Sequence, residues 1–461
     1  MKEIIAALEL GTSKSIALLA QKDFSGKFSV LRTETLVSKD AIRRGRVYNL
    51  DETSSIVSKL IGKLNSNPAL QVEKIYVGVG GQSLHTQLFS KRKTVEGGII
   101  TKKIIDLIEE EANTYSPELE ENLGVCSCEY YVDGRLVPNP KGIAASVIEA
   151  RIQLVMGNPC LKRNLKKVFD EKGISVAGYF ISPLATAEAV LTPEEKEWGC
   201  ALVEIGEGVT YISVYKNKAL KYMITLPLGG LAITNDILSN SNVPEAEMLK
   251  IKHGSVIPEP VSNGNIPENE ERNLSMKIEQ VLLNRIIEAR MDEIIKNVWN
   301  QIQLSGYSNV LDAGIVITGG GALLRDLPQF IMSYTGKGVR LARAKVWENQ
   351  TETYLSPANS CVAGLAILGK ENCVKEIKPT VREVREVRGT KVETGSIFKD
   401  DEIEVVEKPN IEKDKNDNKK NRTNFIKTGF NKIRDIFDEG AASVLDDNTP
   451  DNNKNKNSAN K

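Results

Sequence analysis

A chain of 461 residues exceeds the roughly 100–200 residues of a typical domain, so it has room for two or more cores and appended segments. Its 61 basic and 61 acidic side chains cancel, and with 41% hydrophobic and 26% charged residues it reads as a soluble globular protein with no bulk charge to draw it to nucleic acid. No apolar run approaches the roughly 18 residues of a membrane span, and Glu9 interrupts the first apolar segment in a way no signal peptide would, so the chain is expected to stay in the cytoplasm. Cys126, Cys128, Cys160, Cys200, Cys361 and Cys373 lack zinc-ribbon spacing and suit reduced thiols, Cys126 and Cys128 as strand or core residues. The two histidines, His85 and His253, argue against a zinc site or a histidine-based triad.

In chain order, the first signal is the apolar run Ile4 to Leu10, which breaks at Gly11-Thr12-Ser13 and resumes from Ser15 to Ala20, a hairpin with a tight polar turn. From Leu84 to Lys162 the pattern predicts a small α+β unit, with a helix over Lys102 to Tyr115 and strands over Val125 to Val132 and Ala144 to Val155. The opening design then returns. Cys200 to Ile205 breaks at Gly206-Glu207-Gly208 and resumes from Val209 to Tyr215. Each copy sets a carboxylate, Glu9 or Glu204, two residues before a glycine at the end of a strand. Turn glycines let backbone amides approach anionic oxygens, and a carboxylate there suits a magnesium ion held directly or through its waters.

Further on, a long helix is expected over Met276 to Leu304, including Arg285 and Glu288, after an exposed polar loop from Pro258 to Asn273. The strand Asp312 to Thr318 runs into Gly319-Gly320-Gly321-Ala322 and a helical start at Leu323, a side-chain-free turn against which a flat nucleoside can pack. After Lys370 the chain turns charge-dense and aromatic-poor, as expected of a flexible linker. Near the end Phe425, Ile426, Phe430, Ile433 and Phe437 fall on one helical face flanked by Arg422, Lys427, Lys432 and Arg434, which suits an amphipathic helix lying on anionic lipid. A helix docking on protein would show the same pattern.

Hairpin, hairpin and glycine-rich turn in that order resemble the superfamily of actin, the sugar kinases and the heat-shock chaperones. Within it the chain resembles the FtsA family of division proteins, through Glu9 to Lys14, Tyr76 to Ser83, Pro183 to Ala185, Pro227 to Gly230, Ile233 to Ile237, Glu245 to Lys250 and Cys361 to Leu365. The resemblance implies an α/β, actin-like (ribonuclease H-like) two-lobed fold. Residues 1–83 and 163–197 would build the first lobe, 84–162 an inserted subdomain, and 198–370 the second lobe with 235–306 as its upper part. Residues 371–421 would be a disordered linker, 422–440 a membrane-targeting helix and 441–461 a disordered tail. ATP with Mg2+ is the implied cofactor, on Glu9, Gly11, Thr12, Ser13, Lys14, Glu204, Gly206, Gly208, Glu247, Lys250, Gly319, Gly320, Gly321 and Ala322. The implied partners are FtsZ, other copies of the chain in a polymer, anionic membrane lipid and other division proteins, with no nucleic acid, at the cytoplasmic face of the membrane. A pilus-associated membrane platform and a sugar kinase share the nucleotide fold and stand as alternatives.

Three departures bear on chemistry. Relatives present Asp where this chain has Glu9 and Glu204, and glycine where it has Glu207. Active ATPases of the superfamily often carry Glu before the Pro-x-Ala element. Here that position is Ser182, a far weaker base, so hydrolysis is expected to be slow at most.

Overall fold

The computed structural model describes residues 3–376 apart from 24–27, 39, 68–69, 239–242, 258–270 and 349–350. Two sheets built to one plan organise it. In the first, Glu3–Leu10 turns back antiparallel onto Lys14–Lys22, which pairs with Phe28–Val37, while Lys74–Val79 and then Ser175–Ile181 add in parallel on the other side. In the second, Cys200–Ile205 turns back onto Thr210–Lys216 and that onto Ala219–Leu226, while Ile315–Thr318 and Val339–Leu341 add in parallel. The leading hairpin strands are apolar at nearly every position because each is buried on both faces, apart from Glu9 and Glu204 near their ends.

Helices Ser182–Val190 and Ser360–Leu368 pack against each other in the core shared by the two sheets. A Cβ on Gly364 would lie 1.8 Å from the Ala185 carbonyl oxygen, so this approach admits only glycine. Helix Leu50–Leu64 is set by Asn49, whose side chain accepts from the Glu52 N–H, an N-cap worth about 1 kcal/mol.

The segment between the parts of the first lobe contains His85–Thr94, helix Lys102–Thr114, Glu121–Val132, Arg135–Val137 and Val147–Gly157. Its helix covers one face of an antiparallel sheet over a separate small core around Ile108, Tyr130, Ile148 and Ile152. The strand His85–Thr94 was not readable from pattern, because its polar run Ser90 to Thr94 carries Lys91 and Lys93 turned toward Glu111 instead of an apolar face. This sheet continues the sheet of the second lobe, through Ile224 paired with His85, to give nine strands in one order. Around that junction the Thr225 hydroxyl donates to the Leu84 carbonyl at 2.8 Å, Ser127 to the Leu220 carbonyl at 2.9 Å, and Glu129 pairs with Lys221.

Two expectations require correction. The expected linker at 371–421 begins too early. The Cys373 N–H donates to the Ile4 carbonyl at 2.7 Å, Cys373 is buried, and Val374–Glu376 pairs with Leu70–Val72. Only two apolar side chains in a charged stretch carry that strand, too few for a pattern. The long helix starts earlier than Met276 and spans Glu271–Leu304, with Arg285 exposed. The helix takes in residues 271–273 of the expected polar loop; 258–270, the linker beyond 376, Phe425, Ile426, Phe430, Ile433, Phe437 and the tail lie outside the described residues. Among the described residues, no helix is long and apolar enough to cross a membrane.

Candidate functional site

The turns of the two leading hairpins open onto one cavity of about 560 Å³, a size suited to a small-molecule ligand. Both turns close in the same way. The Gly11 N–H donates to the Lys14 carbonyl at 3.1 Å, and the Gly206 N–H to the Val209 carbonyl at 2.9 Å. A Cβ on Gly208 would meet the Thr12 hydroxyl at 2.7 Å, so the turns touch only because Gly208 lacks a side chain. Thr12 also accepts from the Gly45 N–H at 3.0 Å. This seats the turn after Ile42 against both hairpins.

Glu9, Gly11, Thr12, Ser13, Lys14, Glu204, Gly206, Gly208, Glu247, Lys250, Gly319, Gly320 and Gly321 all lie on the cavity wall. Ala322 does not; it is buried behind the glycine turn. That turn is a short 3-10 segment, Gly320–Leu323, and the following helix begins only at Leu327, after Asp326 in the left-handed region, where a helical start at Leu323 was expected. The three glycines differ in role. Gly319 sits at φ 89° with a Cβ position 2.4 Å from the Ile205 carbonyl, and a Cβ on Gly321 would strike the Ile205 side chain at 2.5 Å. Gly320 instead faces open space, with only Ala358 at 3.8 Å. All three line the cavity, and Gly320 alone has room there for a side chain.

Glu9 and Glu204 each keep one carboxylate oxygen, Oε2, shut away from solvent with no hydrogen-bond partner among the described residues. Burial pushes the Glu9 carboxyl up to about 7 against the pull of the Lys14 ammonium and the Val362 N–H. Burial and then the charge of Glu9 push Glu204 up to about 8, against a hydrogen bond with Thr186. Two unsatisfied carboxyl groups side by side on this wall are of the oxygen-donor type that hard cations take. Among the described residues there is no group of three or more His, Cys, Asp or Glu placed to hold a metal by itself.

On the upper wall the Lys250 ammonium donates to Glu247 at 2.6 Å, the Thr234 hydroxyl at 2.9 Å and the Gly230 carbonyl at 3.0 Å. Glu207 also lies on the wall, its carboxyl raised by burial and by Glu247 and lowered by Lys250. At the floor stand Ser182, whose hydroxyl lies 2.8 Å from where a Gly78 Cβ would be, and Tyr211, which accepts from the Gly81 N–H at 2.8 Å. Tyr211, Gly45 and Asn359, which accepts from Lys14 at 3.2 Å, are wall or near-wall residues that sequence reasoning missed. The basic turn Arg43-Arg44-Gly45-Arg46 was a usable signal; nothing local marks Asn359.

The family model for the cell division protein FtsA matches residues 201–364. The FtsA of Porphyromonas gingivalis is 31% identical over 393 residues, which cover 83% of this chain and 82% of that protein. The FtsA of Neisseria meningitidis is 27% identical over 372 residues, covering 78% and 89%. Among solved structures, the PilM-PilN type IV pilus biogenesis complex superposes with a TM-score of 0.52 at 14% identity, covering 79% of this chain and 97% of that one, a likeness of fold alone. The hairpin pair, the glycine turn and this extent of sequence identity lead to one conclusion: the chain belongs to the FtsA family of cell division proteins, on an actin-like α/β fold.

Proposed function

We propose that this chain binds ATP and Mg2+ in the cleft, polymerises at the cytoplasmic face of the cell membrane, and anchors FtsZ filaments there for septum assembly. The observation that carries the nucleotide reading is the pair of buried, unpartnered carboxyl oxygens of Glu9 and Glu204 between two matching glycine turns. A magnesium ion there would neutralise phosphate charge, with Glu9 and Glu204 holding it directly or through water. The turn at Gly11, Thr12, Ser13 and Lys14 and the turn at Gly206 and Gly208 hold the phosphates, Glu247 and Lys250 lie along the sugar, and Gly319 to Gly321 back the base. Ser182 at the floor is a hydroxyl where a carboxylate would orient water, so turnover is slow at most.

Family membership and the terminal sequence support the reading of assembly and attachment. The upper part of the second lobe, 235–306, receives FtsZ, other division proteins join, and the helix at 422–440 lays Phe425, Ile426, Phe430, Ile433 and Phe437 into anionic lipid. One such anchor binds modestly, and linking copies in a polymer raises avidity by ~10²–10⁴-fold.

Co-sedimentation of the full chain with anionic vesicles, ATP and purified FtsZ tests all three parts. FtsZ should pellet only when the chain and vesicles are both present. Phe430→Glu should release the chain from vesicles with ATP binding intact, and Gly320→Leu should fill the slot and abolish ATP binding in a calorimetric titration. Vesicle binding by Phe430→Glu would reassign the helix to protein docking. Undiminished ATP affinity in Gly320→Leu would move the site elsewhere.

A further inference from the structure

The strand Phe28–Val37 forms one edge of the first sheet. It pairs with Lys14–Lys22 on its inner side and, among the described residues, with no strand on its outer side. The unpaired N–H and C=O groups of an edge are a template for another strand, and soluble proteins commonly blunt them with lysine, proline or a covering segment. This edge runs Phe-Ser-Val-Leu-Arg-Thr-Glu-Thr-Leu-Val, with neither lysine nor proline and with β-branched residues at Val30, Thr33, Thr35 and Val37. Leu31, Thr33, Thr35 and Val37 are exposed, Val37 to 67%. A bulge falls at Leu31, between Arg32 paired with Leu19 and Val30 paired with Ala20.

The two charges on the strand decide what fits it. Arg32 and Glu34 lie on the face toward helix Leu50–Leu64: Arg32 donates from Nε to Glu34 at 2.7 Å and from Nη1 to Ser66 just beyond the helix, and the Lys63 ammonium lies 3.7 Å from Glu34. A second copy of the strand laid antiparallel along this edge is related to the first by a two-fold axis, and the position of that axis sets which residues face each other. With the axis through Thr33, Arg32 of each copy faces Glu34 of the other, Thr33 faces Thr33 and Leu31 faces Thr35. Moving the axis one residue either way sets Arg32 against Arg32 or Glu34 against Glu34. Like charges directly opposite each other destabilise a strand pair, whereas opposite charges and Thr–Thr pairs stabilise it. The strand is thus complementary to itself in charge in one antiparallel register.

We propose that a second copy of this chain pairs along Phe28–Val37, joining two five-stranded sheets across a two-fold axis at Thr33. A contact of this kind closes at two copies, so it is separate from the open-ended polymer proposed above and does not depend on it. A cysteine on the axis meets its own copy. Thr33→Cys places two Cβ atoms about 5 Å apart, and mild oxidation of the full chain should give a covalent dimer well above the background set by the native cysteines. Thr35→Cys, also exposed but two residues off the axis, holds its copies roughly 14 Å apart, beyond disulfide reach, and should stay at that background. In sedimentation velocity without nucleotide, the native chain should shift from monomer to dimer as concentration rises. Thr33→Arg sets two like charges together at the axis and should need about tenfold more protein, or beyond, to reach the same dimer fraction. Equal cross-linking at the two positions, or none above background at 33, would overturn the inference. ATP-dependent pelleting that survives in Thr33→Arg is the expected result and keeps the two contacts distinct; cross-linking at 33 in a chain that never pellets would count against the polymer alone.

Discussion

The two hairpins that meet across the cleft share a backbone plan and differ in charge. In the first, the turn after Glu9 runs Gly11-Thr12-Ser13-Lys14; in the second, the turn after Glu204 runs Gly206-Glu207-Gly208-Val209. A cation thus gives way to valine, and a hydroxyl to a carboxylate. Burial raises both acids, with the Lys14 ammonium pulling against it at Glu9 and the charge of Glu9 adding to it at Glu204. One scaffold used twice has therefore produced an attractive jaw and a repulsive one. On this view the first hairpin supplies most of the charge that draws phosphate, and the second mainly supplies shape.

The largest effect should come from removing the attractive side. Lys14→Ala deletes the wall cation that lies beside Asn359 and opposes the burial of Glu9. A charge-assisted hydrogen bond contributes about 1.5–3 kcal/mol, so ATP affinity should fall ~10–100-fold in a calorimetric titration. A loss under threefold would show that the two jaws share the phosphate charge evenly.

The buried acids provide the next test. Each binds its proton more tightly in the folded protein than at the ordinary value of 4.5, so the folded state holds more protons and the ligand-free chain loses stability as pH rises from 4.5 to about 8. The combined effect is on the order of a few kcal/mol. Glu204→Gln should flatten this pH dependence more than Glu9→Gln, because Glu204 has the larger shift and no cation against it. Denaturant midpoints at several pH values between 5 and 8 decide it. If both variants kept the wild-type slope, some other group would be responsible.

How much of this was legible in the sequence depends on how local each feature is. The hairpins and the glycine turn show because strand, turn and carboxylate are contiguous in the chain. The different roles of Gly319, Gly320 and Gly321 do not show, since they depend on where Ile205 lies. Asn359 reaches Lys14 across 345 residues of sequence, and no local pattern encodes that. The join between the inserted sheet and the second lobe was equally hidden, resting on a single paired position and a few side-chain hydrogen bonds to strand 219–226. Val374–Glu376 was missed for the opposite reason: a charged neighbourhood outweighed two buried side chains in any averaged window.

The smallest effect, and the sharpest test of the asymmetry, belongs to Glu207. Its carboxyl sits on the wall among Glu247 and Lys250, and burial raises it above the usual carboxylate range, with Glu247 adding to the shift. When ionised, it opposes the phosphates of a bound nucleotide. At a separation of roughly 10 Å and an effective dielectric near 20, one unit of like charge costs about 1–2 kcal/mol before salt screening. Glu207→Gln keeps the side-chain shape and removes the charge, so ATP affinity should rise about threefold to fivefold at pH 8. Because the raised carboxyl takes up its proton as pH falls, the wild type should lose part of its handicap in acid, and the gain should be smaller at a lower pH than at pH 8. Titrations of wild type and variant at the two pH values separate the possibilities. A gain that is the same at both would mean that the side chain acts by its bulk; no gain at either would mean that Lys250 already neutralises it and that the second jaw is not repulsive.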